Sequence, residues 1–217
     1  MMNTIWIFRE MRSGSSAFSE LVANHTNRTH RFVNNSDLIK FESNSATTEY
    51  PDQPDRVYST HTFELLQYVS SYKDPIIFRC ARKDKSEQCL SYLFMKHLNH
   101  GRPSGQWVHN INSSNDANIA LFHPEEPIYI SKKEVIDYMR YASIIDRMWK
   151  DFTKDKQAVT VYYEDLCNGM SIPEIDLFDC RLDTESATKK LPDYKSRSIL
   201  NESMIRKWVT ELTQDFG

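Results

Sequence analysis

The stretch from Ile5 to Phe18 places the strongest constraint on how this chain can fold. It opens with four apolar residues, Ile5 to Phe8, which is typical of a strand buried on both faces. After a polar turn with a single glycine, apolar residues recur at the spacing of one helix face, at Ala17, Phe18, Leu21 and Val22. A strand, a tight turn and a helix present backbone N–H groups to a phosphate or sulfate. The stretch therefore predicts an anion-binding loop.

The turn itself carries groups that bind anions. Arg12 adds a positive charge, and three serines beside Gly14 add hydroxyl donors. These serines are Ser13, Ser15 and Ser16. The turn does not match the P-loop of nucleotide hydrolases, because Gly14 is not followed by lysine and Arg9 stands where the first glycine would be. An ordinary strand-to-helix turn with a serine as N-cap is the simplest alternative.

Length, composition and charge limit the class of protein. The 217 residues, 40% hydrophobic and 26% charged, predict one globular domain over residues 1–217. The net charge of -3 argues against a broad nucleic-acid surface. No apolar run approaches the ~20 residues that cross a bilayer, and we expect no signal peptide. The four cysteines are scattered without zinc spacing, which fits a reducing compartment, so we expect a cytoplasmic protein.

Strand patterns alternate with helical ones along the chain. The predicted strands are 5–8, 30–34, 56–59, 76–80 and 158–163. Helix starts are predicted at Asp84, with Glu87 three residues on, and at the capping box from Ser131 to Glu134. The alternation predicts an α/β fold with a mostly parallel sheet of roughly five strands flanked by helices. The final helix is predicted to bury Met204, Ile205, Trp208 and Leu212.

Three polar clusters fall at the carboxyl ends of predicted strands. They are residues 12–16, His61, and Arg79 with Arg82. Ligands of open parallel sheets bind at the carboxyl ends of the strands, so we expect a binding site there. The long polar segments 35–55 and 100–127 are predicted to be loops that shape this site.

Two of these clusters resemble the nucleotide-binding motifs of sulfotransferases that use 3′-phosphoadenosine 5′-phosphosulfate (PAPS). The run from Arg12 to Ser16 resembles their 5′-phosphosulfate loop, which reads Lys or Arg, Ser, Gly, Ser/Thr, Ser/Thr after the first strand. The run from Ala81 to Ser91 is similar to their 3′-phosphate segment, most closely to that of the bacterial trehalose-type enzymes. The resemblance implies a P-loop-like sulfotransferase architecture in which Arg82 and Ser91 bind the 3′-phosphate. A guanidinium suits this role because it forms two charge-assisted hydrogen bonds to phosphate oxygens.

The resemblance also implies a catalytic base. Cytosolic sulfotransferases carry Lys-Thr-His at the corresponding strand end, and their histidine removes the proton of the acceptor hydroxyl. Here Thr60 and His61 are kept, but Ser59 replaces the lysine, so Arg12 would supply most of the charge stabilisation. Trehalose-type enzymes are thought to use a glutamate instead, and Glu42 or Glu49 lies in the right region. The base is therefore His61 or one of these carboxylates.

Two later segments carry weaker parts of the resemblance. The run from Tyr163 to Leu166 is similar to a Tyr-Glu-Asp-Leu motif of the family, and we expect a structural role for it. Sulfotransferases also close a late basic loop over the nucleotide. The basic residues in the matching segment are Lys189, Lys190, Lys195 and Arg197. Because the Arg-Lys-Gly triplet is missing, an exposed tail is the simpler prediction for them.

The sequence thus predicts an enzyme that transfers a sulfuryl group from PAPS to a hydroxyl acceptor, with PAP as the product and without a metal ion. A sugar or another small hydroxylated metabolite is favoured as the acceptor, and no nucleic acid or membrane span is expected. Two alternatives remain open: a divergent P-loop nucleotide kinase or hydrolase, and a non-catalytic PAP-binding protein.

Overall fold

The structure is a computed structural model that describes residues 4–11, 13–33, 55–70, 75–100, 127–154, 156, 158–182 and 199–216. The chain divides into two compact units. The first consists of Met1–Lys83 and Lys150–Leu182, and the second of Asp84–Trp149 and Asp183–Gly217. The single domain over residues 1–217 stays a prediction. No described helix combines the length and the hydropathy that crossing a membrane requires.

The first unit is built on a five-stranded parallel sheet with the strand order β2-β3-β1-β4-β5. Its strands are β1 (Ile5–Arg9), β2 (Thr29–Val33), β3 (Arg56–Thr60), β4 (Ile76–Ala81) and β5 (Ala158–Tyr162). Its helices are α1 (Ser15–His25), α2 (Phe63–Ser70) and the short α5 (Tyr163–Asn168). The predicted α/β class with a mostly parallel sheet is confirmed.

Side chains of β1 alternate between the two faces of the sheet, and both faces are buried. Ile5 and Ile7 pack in one core with Phe18 and Val22 of α1. On the other face, the Trp6 ring stacks on Tyr58 with 4.8 Å between centroids, and the Phe8 ring meets Phe63 edge to face at 5.6 Å. Burial on both faces explains why all four residues of the opening run are apolar.

A small antiparallel hairpin in the first unit was not predicted. It consists of β6 (Met170–Ile172) and β7 (Leu177–Cys180), joined by a 3₁₀ turn over Pro173–Ile175. The buried side chains of Ile172 and Leu177 extend the core that α1 covers. Strands of three and four residues are too short to give a period-2 pattern in the sequence.

In the described residues the second unit is mainly helical, with one isolated parallel bridge between Ile128 and Ile199. Its helices are α3 (Lys85–Leu98), α4 (Lys132–Phe152) and α6 (Glu202–Phe216). The last residues of α4, from Lys150 on, belong to the first unit. Both predicted caps are confirmed: the Asp84 carboxylate accepts the Glu87 amide at 2.9 Å, and Ser131 and Glu134 form a reciprocal capping box. The prediction that Met204 is buried is wrong, because 46% of its surface is exposed, and Val209 occupies the core with Ile205 instead. These core residues are four apart, as one helix face requires, whereas Met204 lies beside that face.

Candidate functional site

The candidate site lies at the carboxyl edge of the sheet in the first unit. The chain that leaves β1 passes through α1 to β2 on one side, whereas the chain that leaves β4 continues to β5 on the other side. The neighbouring strands β1 and β4 therefore form a topological switch point, which is where open α/β sheets bind their ligands. The predicted loop after β1 and the segment of Arg82 after β4 both begin at this point.

The turn between β1 and α1 is held by its own hydrogen bonds. The backbone amide and the hydroxyl of Ser13 both donate to the Glu10 carbonyl, at 3.3 and 2.8 Å. The Cys80 thiol donates to the Ser13 carbonyl at 3.4 Å. The fully buried Ser13 hydroxyl thus stabilises the turn. Arg12, the predicted cation, lies outside the described residues.

Gly14 occupies a position that only glycine fits. Its φ of 79° is in the left-handed region, and a Cβ at this position would lie 2.2 Å from Cδ2 of Tyr163. Gly14 is the N-cap of α1, and among the described residues no side chain caps this helix and no acidic residue lies in its first turn. The first N–H groups of a helix have no partner within the helix, so this end of α1 favours an anion.

Arg9, the last residue of β1, is a site residue that the sequence analysis missed. Its guanidinium donates from Nε to the Ser15 hydroxyl at 3.2 Å and from Nη2 to the Ser16 hydroxyl. Its Cζ lies 5.1 Å from the centre of the Phe32 ring. Burial lowers the pKa of Arg9 from its ordinary value. The sequence signal for it is a basic residue at a strand end directly before the loop.

His61 follows β3 and contacts the same residue. Its Nδ1 donates to the Arg9 backbone carbonyl at 2.5 Å, and its ring meets Phe32 edge to face with 5.5 Å between centroids. A carbonyl can only accept a hydrogen bond, so Nδ1 carries the proton of the neutral ring. Nε2 is then the nitrogen with the lone pair, as a general base requires.

Ser59, which the resemblance aligns with the lysine of sulfotransferases, carries a buried hydroxyl. Ser59 is fully buried, and its hydroxyl lies 2.7 Å from Nε2 of His30. Burial, together with the positive charge of Arg9, lowers the pKa of His30. Neither residue places a cation here, and the positive charge that acts on His30 is that of Arg9 on β1, the strand next to β3.

The cluster at the carboxyl end of β4 contains one structural arginine and one candidate ligand. Arg79 forms a buried ion pair with Glu10, so this arginine serves the packing of the first unit. The Cζ of Arg82 lies 4.7 Å from the centre of the Tyr163 ring, the same ring that packs against Gly14. The Tyr163 ring therefore contacts both the loop after β1 and the segment after β4.

The acidic residues that follow Tyr163 also hold this segment. The backbone N–H of Lys83 donates a hydrogen bond to Oε2 of Glu164 at 3.0 Å, and Nζ of Lys83 donates to Oδ1 of Asp165 at 2.5 Å. This is the kind of structural role expected for the Tyr-Glu-Asp-Leu motif. Ser91 is buried on α3 in the second unit, and its binding of a 3′-phosphate stays a prediction.

The remaining candidates lie outside the described residues. They are Glu42 and Glu49, the late basic residues Lys189, Lys190, Lys195 and Arg197, and most of the two predicted loops. Among the residues that the structure describes, no group of three or more His, Cys, Asp or Glu side chains could hold a metal ion. No protein-family model, curated protein or solved structure gives a significant match to this chain.

Proposed function

We propose that the chain is a sulfotransferase that moves a sulfuryl group from PAPS to a hydroxyl acceptor. The observation that carries the proposal is the hydrogen bond from Nδ1 of His61 to the Arg9 carbonyl, because it ties the candidate base to the residue that leads into the anion-favouring loop. The order of the motifs along the chain supports it, since the loop, the Thr-His pair and the Arg82 segment follow the order found in sulfotransferases.

The proposed reaction is an in-line transfer. A lone pair of the acceptor oxygen forms a bond to sulfur, while the bond between sulfur and the bridging oxygen of the 5′-phosphate breaks. The electron pair of that bond leaves with the PAP phosphate, and the proton of the acceptor passes to Nε2 of His61. The loop of residues 12–16 would stabilise the charge that develops on the phosphate, so the reaction depends on positioning and electrostatics.

The donor assignment has a direct binding test. We expect calorimetry to show tight binding of PAP and weak binding of ATP with or without Mg²⁺, because only PAP carries a 3′-phosphate for Arg82. Arg82→Gln should weaken PAP binding at least tenfold, about 1.4 kcal/mol. Lys133→Gln on α4 is the matched control, since it removes one positive charge from an exposed side chain. Equal affinity of the wild type for PAP and ATP would contradict the proposal and favour a kinase or hydrolase.

The base is tested by a substitution that keeps its hydrogen bond. Asparagine places an amide N–H close to the position of Nδ1, so His61→Asn can still donate to the Arg9 carbonyl but has no basic nitrogen. Transfer from radiolabelled PAPS to a panel of sugars and other hydroxylated metabolites should collapse, while PAP affinity is kept. His25→Gln is the control, because it preserves the 3.1 Å contact to the Ile175 carbonyl. Unchanged transfer would move the base to a carboxylate, and PAP binding without any transfer would support the non-catalytic alternative.

A further inference from the structure

The guanidinium of Arg9 is unusual in the way its charge is compensated. It is half-buried, and its two side-chain hydrogen bonds go to the neutral hydroxyls of Ser15 and Ser16. Among the described residues, no carboxylate forms an ion pair with it, and Glu20 attracts it only at longer range. Arg79 on the neighbouring strand is the contrast, because its buried charge is paired with Glu10. A desolvated charge without a counter-ion is costly in a folded protein and is typical of a ligand site.

The surroundings of the Arg9 guanidinium indicate which kind of ligand would neutralise its charge. Its side chain reaches the first turn of α1, where the helix N-terminus favours negative charge, and its own carbonyl holds His61. One residue thus contacts both the loop and the candidate base. A tetrahedral oxyanion bound here would accept hydrogen bonds from the guanidinium and from the hydroxyls of both serines. Each serine oxygen accepts a hydrogen bond from Arg9 through a lone pair, so its own O–H proton can still be donated to the anion.

The geometry points to Arg9 as a ligand-binding and charge-stabilising residue that contacts the 5′-phosphate end of the donor, in the place of the lysine that Ser59 replaces. This inference rests on the proposed function and adds a residue to it. Arg9 would neutralise the charge that the departing 5′-phosphate acquires, while Arg82 contacts the other end of the nucleotide. The two arginines should therefore respond differently when one phosphate of the ligand is removed.

The test compares PAP with adenosine 3′-phosphate, which lacks the 5′-phosphate. Arg9→Gln should weaken PAP binding at least tenfold and change the affinity for adenosine 3′-phosphate less than twofold. Arg82→Gln should weaken the binding of both ligands. Arg9→Lys should fall between Gln and the wild type, because lysine keeps the charge but loses the fork of donors. Lys133→Gln is again the matched charge control. Wild-type PAP affinity in Arg9→Gln, or an equal loss for both ligands, would overturn the assignment of Arg9.

Inorganic pyrophosphate separates this inference from the proposed function. We expect pyrophosphate to raise the unfolding temperature of the wild type and to leave that of Arg9→Gln unchanged. If the wild type fails to bind PAP but keeps this Arg9-dependent response, the sulfotransferase proposal fails and the anion site at Arg9 stands. If the wild type binds PAP, but Arg9→Gln changes neither the affinity for PAP nor the response to pyrophosphate, the donor assignment stands and the role of Arg9 is refuted. The absence of both responses refutes both.

Discussion

Replacement of Gly14 by alanine tests whether the loop after β1 is shaped by its contact with Tyr163. The substitution has two costs, and both follow from the geometry. The φ of 79° costs a residue with a Cβ about 1–2 kcal/mol. The new Cβ would also lie 2.2 Å from Cδ2 of Tyr163, so the ring would have to withdraw by about 1.2–1.8 Å to reach ordinary contact. Overpacking of this kind adds about 1–3 kcal/mol, for a total loss of about 2–5 kcal/mol.

A double-mutant cycle isolates the contact from the backbone strain. In a Tyr163→Ala background the ring is gone, so Gly14→Ala should cost only the backbone share, about 1–2 kcal/mol. Gly169 is the matched control, since its φ of 90° is also positive but the nearest atom to an added Cβ is 3.6 Å away, on Asp179. The cost of Gly169→Ala should therefore not depend on residue 163.

The assay is urea unfolding of the single and double variants, followed by circular dichroism. The loss expected for Gly14→Ala lowers the urea midpoint by about 1 M or more. The same cost of Gly14→Ala in both backgrounds would refute the reasoning, because it would mean that the Tyr163 ring does not limit the space at residue 14.

Three further predictions address other described parts of the chain. The pKa of His30 in the folded protein lies below its ordinary value of 6.5, so below about pH 6.5 the unfolded state binds more protons than the folded state. The free energy of unfolding should therefore fall as the pH is lowered through this range. In urea unfolding at pH 5–7, His30→Gln should make that pH dependence weaker. Burial raises the pKa of Cys80 to about 12, whereas Cys167 is only half-buried, so iodoacetamide at pH 8 should label Cys167 well before Cys80 by mass spectrometry. Equal labelling rates would show that β4 becomes exposed. Ser131→Ala removes the capping box of α4 and should cost about 1 kcal/mol in urea unfolding, and no loss would contradict the cap.

The parts of the fold that could be predicted depend on neighbours along the chain. The apolar run of β1, the N-cap at Asp84 and the capping box at Ser131 are each specified within a few residues, so periodicity and cap chemistry were sufficient. The alternation of strands and helices then predicted a parallel sheet, because parallel neighbours need a crossover between them. Local pattern failed for Met204, since one helix face can be assigned only when its packing partner is known.

The amino-acid pattern alone was sufficient to locate the loop after β1 and the histidine that follows β3. The use of those residues depends on contacts between distant parts of the chain. The tertiary structure joined Arg79 to Glu10, 69 positions away, and so removed one candidate ligand from the site. It brought the Tyr163 ring against Gly14 and set His61 on the carbonyl of Arg9, 52 positions earlier. Such contacts leave no periodic signal, because they depend on strand order, and strand order is fixed only when distant segments pair in the sheet.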